Sequence, residues 1–324
     1  TNNMLVKLVG LDDVKLQLQS VVDTYTFLHS RKDVAKVRLS VNAIIIGETG
    51  TGKTMLAEVI RDYFFQHKII SKSKLTLVDA VDYQRFVDSW DDNVKKAKGG
   101  ILFFDNVQKL LPDRYSNQVN PLDKLFVEMD HWDDDPIVVI SGLTKGLEDF
   151  LTNNPSVSNR FKYKFVLPSP GYKELTTICR NVLKDKYGID SFSLEAEHKL
   201  ARYFKYRVKK KDETFGFAHE AIKVAEDIFT SFISRGLDAH IVEPDDIKGY
   251  VPEERSLDDI LAEMDKFIGM DEVKKAVREI AYSVKNGLER KERGLGGSEK
   301  MAMHVVLTGN PGTGKTTIAR KLGE

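Results

Sequence analysis

The stretch Asn42-Ala43-Ile44-Ile45-Ile46-Gly47-Glu48-Thr49-Gly50-Thr51-Gly52-Lys53-Thr54 decides the fold. Asn42–Ile46 is a short apolar run that reads as a buried strand, a glycine-rich turn follows at once, and Met55–Phe65 continues at helical spacing. The turn, GETGTGKT, fits the pattern G-x-x-x-x-G-K-[ST], and each part of that pattern has a mechanical reason. The glycines let backbone N–H groups close around phosphates, and the positive end of the following helix adds its field. Within Gly47, Glu48, Thr49, Gly50, Thr51, Gly52, Lys53, Thr54 and Met55, Lys53 is expected to reach the β- and γ-phosphates of ATP, or the β-phosphate of ADP. Thr54 is expected to ligate Mg²⁺.

The pattern returns as GNPGTGKT at Gly309–Thr316. Asn310, Pro311, Gly312, Thr313, Gly314, Lys315, Thr316 and Thr317 take the corresponding places, with Thr316 the second candidate magnesium ligand. One chance match in a chain of this length is roughly a 1% event; two, each after an apolar run and before a helix, exclude chance. Upstream, Val9–Lys15 reads VGLDDVK and Ile268–Lys274 reads IGMDEVK, so Val9 and Gly10 correspond to Ile268 and Gly269. Gly10 precedes Gly47 by 37 positions and Gly269 precedes Gly309 by 40. Box, helix, strand and loop recur in one order at one spacing, as two copies of one module do. The second copy has eight residues after Thr316 and one strand where such a sheet needs about five. Its remainder is therefore expected beyond Glu324.

The first copy continues with short apolar runs at Leu75–Asp79, Ile101–Asp105, Ile137–Ser141 and Lys164–Leu167, most of them separated by helical segments. Five such strands predict an α/β fold with a parallel five-stranded sheet. After Pro168-Ser169-Pro170 the pattern changes: Tyr172–Lys186, Leu194–Arg207 and Phe217–Ser234 read as amphipathic helices without strands between them. The expected organisation is a nucleotide-binding subdomain over 1–170, a small helical subdomain over 171–242, a proline-containing linker over 243–256 and the start of the second module over 257–324.

Ile101-Leu102-Phe103-Phe104-Asp105-Asn106 is an apolar strand ending in an acid. In nucleotide hydrolases of this type the Asp holds Mg²⁺ through water, and the next position is ordinarily Glu, the base that orients the attacking water. Here it is Asn106, and an amide takes up no proton at neutral pH.

Composition narrows the remaining classes. Forty-nine basic residues balance forty-nine acidic ones, so no global field pulls the chain toward nucleic acid or an anionic membrane. No apolar run approaches the length of a bilayer span, and the N-terminal segment lacks the pattern of a secretory signal. The one cysteine, Cys179, excludes an intramolecular disulfide and reads as a small buried helix residue. A soluble cytoplasmic protein is the expectation.

With these residues in place the chain resembles the AAA+ ATPases, and within them the CbbX, SpoVK and EccA branch. The most specific stretch is GLTKGLEDFLTNNPSVSNRF, Gly142–Phe161. Asn154, Pro155, Arg160 and Phe161 match the branch's N-P-G-x-x-S-R-F, while Ser156 and Asn159 depart from it. GGILFFDN resembles the branch's GGVLFIDE, and the VGLDDVK and IGMDEVK boxes resemble the segment that folds over adenine.

The resemblance implies self-association into a ring, usually a hexamer, acting on a protein substrate. It places Arg160 as an arginine finger reaching a neighbour's ATP; the alternative for Arg160 is a surface ion pair. It makes the helical subdomain over 171–242 the family's lid and implies G-N-A-R there, where this chain has Gly216-Phe217-Ala218-His219, so His219 replaces a permanent cation with a ring that is mostly neutral at pH 7. Ser141 or Thr144 stands for the polar sensor residue. The family's aromatic pore loop falls at Asp79–Trp90, where Tyr83, Phe86 and Trp90 are available for the pore or for packing. Lys209-Lys210-Lys211 and Asp133–Asp135 read as solvated turns.

The leading expectation is a protein-remodelling ATPase whose first module binds ATP and hydrolyses it slowly or not at all, the second being the motor. A nucleotide-locked scaffold and a nucleic-acid motor or loader are the alternatives; balanced charge argues against the last.

Overall fold

The computed structural model describes residues 4–30, 40–79, 82–110, 122–132, 135–211, 215–236, 240–249, 257–267, 269–292, 305–310 and 314–322. Ile268, Pro311, Gly312 and Thr313, Asp133 and Asp134, and residues 250–256 of the expected linker lie outside the described residues. The chain divides into two compact units, Thr1–Val251 and Pro252–Glu324.

The first unit begins with α1 (Asp12–Ser30), β1 (Ala43–Gly47), α2 (Lys53–Gln66), β2 (Leu75–Val78), α3 (Tyr83–Asp88), α4 (Trp90–Ala97) and β3 (Ile101–Phe104). It continues with α5 (Asp123–Met129), β4 (Ile137–Gly142), α6 (Thr144–Asn153), α7 (Pro155–Ser158) and β5 (Tyr163–Leu167). The five expected strands form one sheet in the order β2-β3-β4-β1-β5, and every neighbouring pair is parallel. Parallel strands need crossovers that cover both faces, which explains why the inner strands β1, β3 and β4 are buried throughout, while the edge strands β2 and β5 carry Thr76 and Lys164 and are partly exposed. Successive side chains still divide between faces. Ile45, Phe103 and Val139 pack with Val14, Leu18, Leu56, Ile60 and Phe64 of α1 and α2. Ile44, Ile46, Leu102, Phe104 and Ile140 pack on the opposite face with residues of α3 to α6.

Strand order places the chemistry. β4 lies between β1 and β3, with Ile45 opposite Ser141 and Phe104 opposite Ile140. Asp105 therefore leaves β3 beside Ser141, one strand away from the glycine loop that leaves β1. This is the carboxyl edge of an open parallel sheet, where such folds bind ligands.

Of the two roles open to the aromatic segment, a pore loop and packing, the structure shows packing. Tyr83, Phe86 and Trp90 are all buried, with Phe86 edge-on to both Trp90 and Phe104. Burying three large rings against β3 contributes far more than exposing them to solvent would allow.

The lid comprises α8 (Tyr172–Tyr187), α9 (Leu194–Lys209) and α10 (Ala218–Ser234). Leu175, Cys179 and Leu183 recur on one face of α8 and meet Leu200, Phe204, Val224 and Ile228 in a separate core. Ser193 caps α9 by accepting from the Ala196 N–H at 3.2 Å, and Gly188, at φ 71°, ends α8 in the left-handed region that glycine tolerates. Lys209, Lys210 and Lys211 are exposed at the end of α9.

The expected linker start at Glu243 is corrected by the structure: Glu243–Ile247 packs onto the lid. Asp246 is 1% exposed and accepts two hydrogen bonds from Arg235, at 2.9 and 2.7 Å. A buried carboxylate needs such a partner, and its charge misleads a reading based on hydrophobic pattern.

The second unit contains α11 (Leu257–Asp265), α12 (Asp271–Glu292) and α13 (Lys315–Leu322) around Leu261, Met264, Val277 and Ile318. The strand expected before its glycine loop is a second correction. Residues 305–308 form no ladder, and Val306 is 84% exposed. A strand without a neighbour leaves its backbone groups unpaired, so apolar character alone does not define one. Among the described residues, no helix of either unit is long and apolar enough to cross a membrane.

Candidate functional site

Three segments from different elements meet at the carboxyl edge of the sheet in the first unit. The glycine loop turns tightly because Gly50 and Gly52 take φ of 74° and 94°, values that side-chain-bearing residues rarely adopt. Gly52 is also the N-cap of α2 and offers no side chain there, so the first-turn N–H groups of α2 are left for a ligand. Thr51 Oγ1 donates to the Glu48 carbonyl at 2.8 Å and braces the turn.

Lys53 folds back along the loop, its ammonium donating to the carbonyls of Gly47 and Glu48, each at 2.9 Å. The residue is 8% exposed. Burial lowers the pKa of this ammonium, and the charges of Asp105 and Glu48 oppose the shift. A partly desolvated cation held by neutral carbonyls is poised to take an anionic partner.

Thr54 Oγ1 donates to Asp105 Oδ2 at 3.3 Å, and Ser141 Oγ donates to Asp105 Oδ1. Both carboxylate oxygens are thus oriented, one toward the glycine loop and one toward β4. Thr54 and Asp105 form an oxygen-only pair beside the phosphate loop. That donor set fits Mg²⁺, which takes one or two protein oxygens and completes its shell with phosphate and water. Among the described residues, no group of three or more His, Cys, Asp or Glu could hold a metal by itself, so an ion at this pair would be shared with a nucleotide.

Asn106 takes φ 57° and ψ 41°. Asn is among the few residues that tolerate this left-handed conformation. Its backbone N–H donates to Ser141 Oγ at 3.3 Å, and its side-chain oxygen accepts from Gln108 at 3.5 Å. Gln108 in turn accepts from the Leu143 N–H at 3.2 Å. Ser141, not Thr144, is the sensor candidate that contacts the acid.

A cavity of about 740 Å³ joins these groups to the lid. Its lining unites Val9 and Gly10 of the upstream box, Thr49–Met55 of the loop, Asp105 and Asn106, and His219 of the lid. Gly10 sits at φ 68°, and a Cβ there would fall 2.5 Å from Glu174 Cγ, so the box presses directly on the lid. Gly47 and Glu48 do not line the cavity; they serve it through Lys53. Arg160 does not line it either, and forms a bidentate ion pair with Asp130. Sequence reasoning missed the lid's contribution from α8: Glu174, Ile178, Asn181, Val182 and Asp185. They lie on a face of α8 beside its core stripe, with Ile178 and Val182 packed against the lid core as well, a signal that was present but pointed to solvent until the large subdomain stood against it.

A profile of the ATPase family associated with various cellular activities (AAA) matches residues 43–169. Residues 43–169 are an AAA ATPase domain. The match begins at β1 and ends just after β5, so it covers the whole sheet of the AAA domain. Stage V sporulation protein K of Bacillus subtilis is 25% identical over 205 residues, 60% of this chain and 63% of that protein. A CfxQ homologue of Trieres chinensis is 26% identical over 63% of this chain and 72% of its own length. The ESX-3 secretion system protein EccA3 of Mycobacterium tuberculosis is 22% identical over 68% of this chain and 36% of its own length. These relatives belong to the branch that Gly142–Phe161 pointed to, and the chain spans less than two thirds of the sporulation protein and little more than a third of EccA3. Among solved structures, a RuvB variant from Thermotoga maritima superposes with TM-score 0.51 at 17% identity, covering 74% of this chain and 67% of that one. That likeness extends the AAA fold to the lid and carries nothing about function.

The second unit repeats the loop's detail. Lys315 Nζ donates to the carbonyls of Gly309 and Asn310, at 2.7 and 2.6 Å, the same two offsets that Lys53 uses. Gly314 takes φ 81° as Gly52 does, and Gly269 takes φ 74° as Gly10 does. A Cβ on Gly314 would lie 3.7 Å from Met270 Cε, so box and loop are neighbours here too. Thr316 and Thr317 are exposed at the start of α13.

Proposed function

We propose that the chain is part of an ATP-driven protein-remodelling ATPase with tandem AAA modules, in which the first module holds Mg²⁺-bound ATP or ADP and turns it over slowly or not at all. The observation that carries this reading is the geometry at Asp105 and Asn106. The acid is oriented by Thr54 and Ser141, while the next position offers an amide, hydrogen-bonded to Gln108, where hydrolysis calls for a base. Magnesium, when bound, would draw charge from the β- and γ-phosphates. Lys53 would bind the same oxygens, the N-terminus of α2 would orient them, and the lid would exclude water.

The similarity to a sporulation protein, to CfxQ homologues and to secretion-system EccA proteins supports a remodelling role, assembly into a ring, usually hexameric, and a protein substrate. Arg160 would act on a neighbouring subunit, since it lies outside its own cavity. The second loop would serve the motor module, and a cytoplasmic location fits the free cysteine and the balanced charge.

Fluorescent-nucleotide titration and phosphate release measured on this chain test the reading. Tight ATP and ADP binding with release close to background is the expected result. Brisk turnover by the first module would sink it. Stimulation by polynucleotide and not by unfolded protein would favour the nucleic-acid alternative.

A further inference from the structure

A backbone contact ties the glycine loop to the lid. Ala218, the first residue of α10, donates its N–H to the Gly50 carbonyl at 3.0 Å. Gly50 lies so close that a Cβ there would fall 2.1 Å from the Gly216 carbonyl oxygen. No side chain caps α10, so the loop's carbonyl satisfies one of the donors that a helix start leaves open.

Phe217, between the two contacts, takes φ 42° and ψ −103°, a conformation that non-glycine residues adopt only when their surroundings enforce it. The enforcement is visible. The Phe217 ring is 8% exposed in the lid core, edge-on to Phe215 at 5.0 Å, with the Lys211 ammonium 5.3 Å above it.

We propose that the Gly216–Ala218 turn is a positioning latch. It fixes the phosphate loop from outside, and a bound nucleotide leaves only when the lid lifts and this backbone bond breaks. The latch involves no phosphate and no side-chain charge, so it closes whether or not a γ-phosphate is present. Its role in release rests on the nucleotide reading above; its existence does not.

Two measurements test it. Hydrogen exchange on the nucleotide-free chain should show the Ala218 amide protected by at least about tenfold relative to Lys173 in the uncapped first turn of α8. Equal exchange at the two positions overturns the latch, and needs no variant to fold.

Ala218→Pro then removes that N–H and also strains the turn open, because the residue before a proline is confined to extended backbone and Phe217, at ψ −103°, is not extended. A ribose-labelled fluorescent ADP should leave this variant at least about tenfold faster than the unaltered chain, one lost hydrogen bond alone producing about that factor. A folded Ala218→Pro with unchanged release overturns the proposal. An unaltered chain that binds no ADP overturns the nucleotide reading instead, a result distinct from binding with unchanged release.

Discussion

Arg160 and Asp130 form a bidentate ion pair, with Nε to Oδ1 at 3.0 Å and Nη2 to Oδ2 at 2.7 Å. The hydrogen bonds from the guanidinium hold the Asp130 carboxyl below the usual carboxylate range. A carboxyl whose pKa is depressed by folding stabilises the fold above its unfolded pKa, near pH 3.9 for Asp, and that contribution is lost as pH falls through the lowered value. Asp130 is half exposed, so the pair contributes at most about 1 kcal/mol. Asp130→Ala should therefore lower the Tm by no more than about 4 °C at neutral pH. The difference from the unaltered chain should close as melts are taken below about pH 4. A gap that stays constant down to pH 2 would refute the assignment. If Arg160 serves a neighbour's site, freeing it from Asp130 should raise ATPase activity of the assembled ring, while Arg160→Ala should abolish it and leave ATP binding unchanged.

Lys53 is the cation that the glycine loop encloses. Lys53→Ala removes a charge that would meet phosphate oxygens and leaves the Gly47 and Glu48 carbonyls without its donors. Charge-assisted contacts to phosphate are individually worth about 1.5–3 kcal/mol, so ATP affinity should fall by roughly tenfold to a hundredfold. Titration of the variant checks this. Lys315→Ala should leave the first site's affinity unaltered, and an equal loss from both variants would contradict two separate loops.

The sheet was legible because a strand buried on both faces has to be apolar throughout, as β1 and β3 are; the edge strands β2 and β5 are half exposed and were marked by their apolar residues and their place in the order. The loop was legible because Gly50, Gly52 and Lys53 occupy positions whose backbone and charge requirements admit few other residues. Other parts were not. Tyr83, Phe86 and Trp90 carry a helix pattern that suits a core or a pore equally, and only β3 beneath them decided. Val306 is apolar and exposed because no strand stands beside it in the described residues. The α8 face from Glu174 to Asp185 mixes acids with isoleucine and valine, and that mixture became a binding wall only through the packing of the lid against the upstream box.

Cys179 is fully buried in the lid core, and desolvation pushes its thiol pKa up to about 12. The reactive species is the thiolate, so at pH 8 the folded chain should resist a thiol-reactive chromogenic disulfide, and one equivalent should react on unfolding. Reaction at the rate of a free thiol under native conditions would show that the lid core opens readily. Because α8 and α10 share that core with the cavity wall, added nucleotide should slow whatever reaction is observed.

Asn106 sits at φ 57°, where Glu is less comfortable than Asn. Asn106→Glu therefore carries a cost of roughly 1–2 kcal/mol for the left-handed conformation, visible as a Tm lower by several degrees. In exchange it supplies a base beside an Asp105 already oriented by Thr54 and Ser141. General-base assistance is typically worth 10²–10⁴-fold. A lower bound of about tenfold in phosphate release over the unaltered chain allows for imperfect placement of the new carboxylate. The control is Asn106→Gln, which has the same length and backbone cost without basicity; it should lose the stability and gain no activity. Equal rates for the Glu and Gln variants, with ATP binding intact in both, would mean that the missing base is not what limits this site. The limit would then lie in the lid, where His219 stands in place of the arginine, or in the absence of a neighbouring subunit's Arg160.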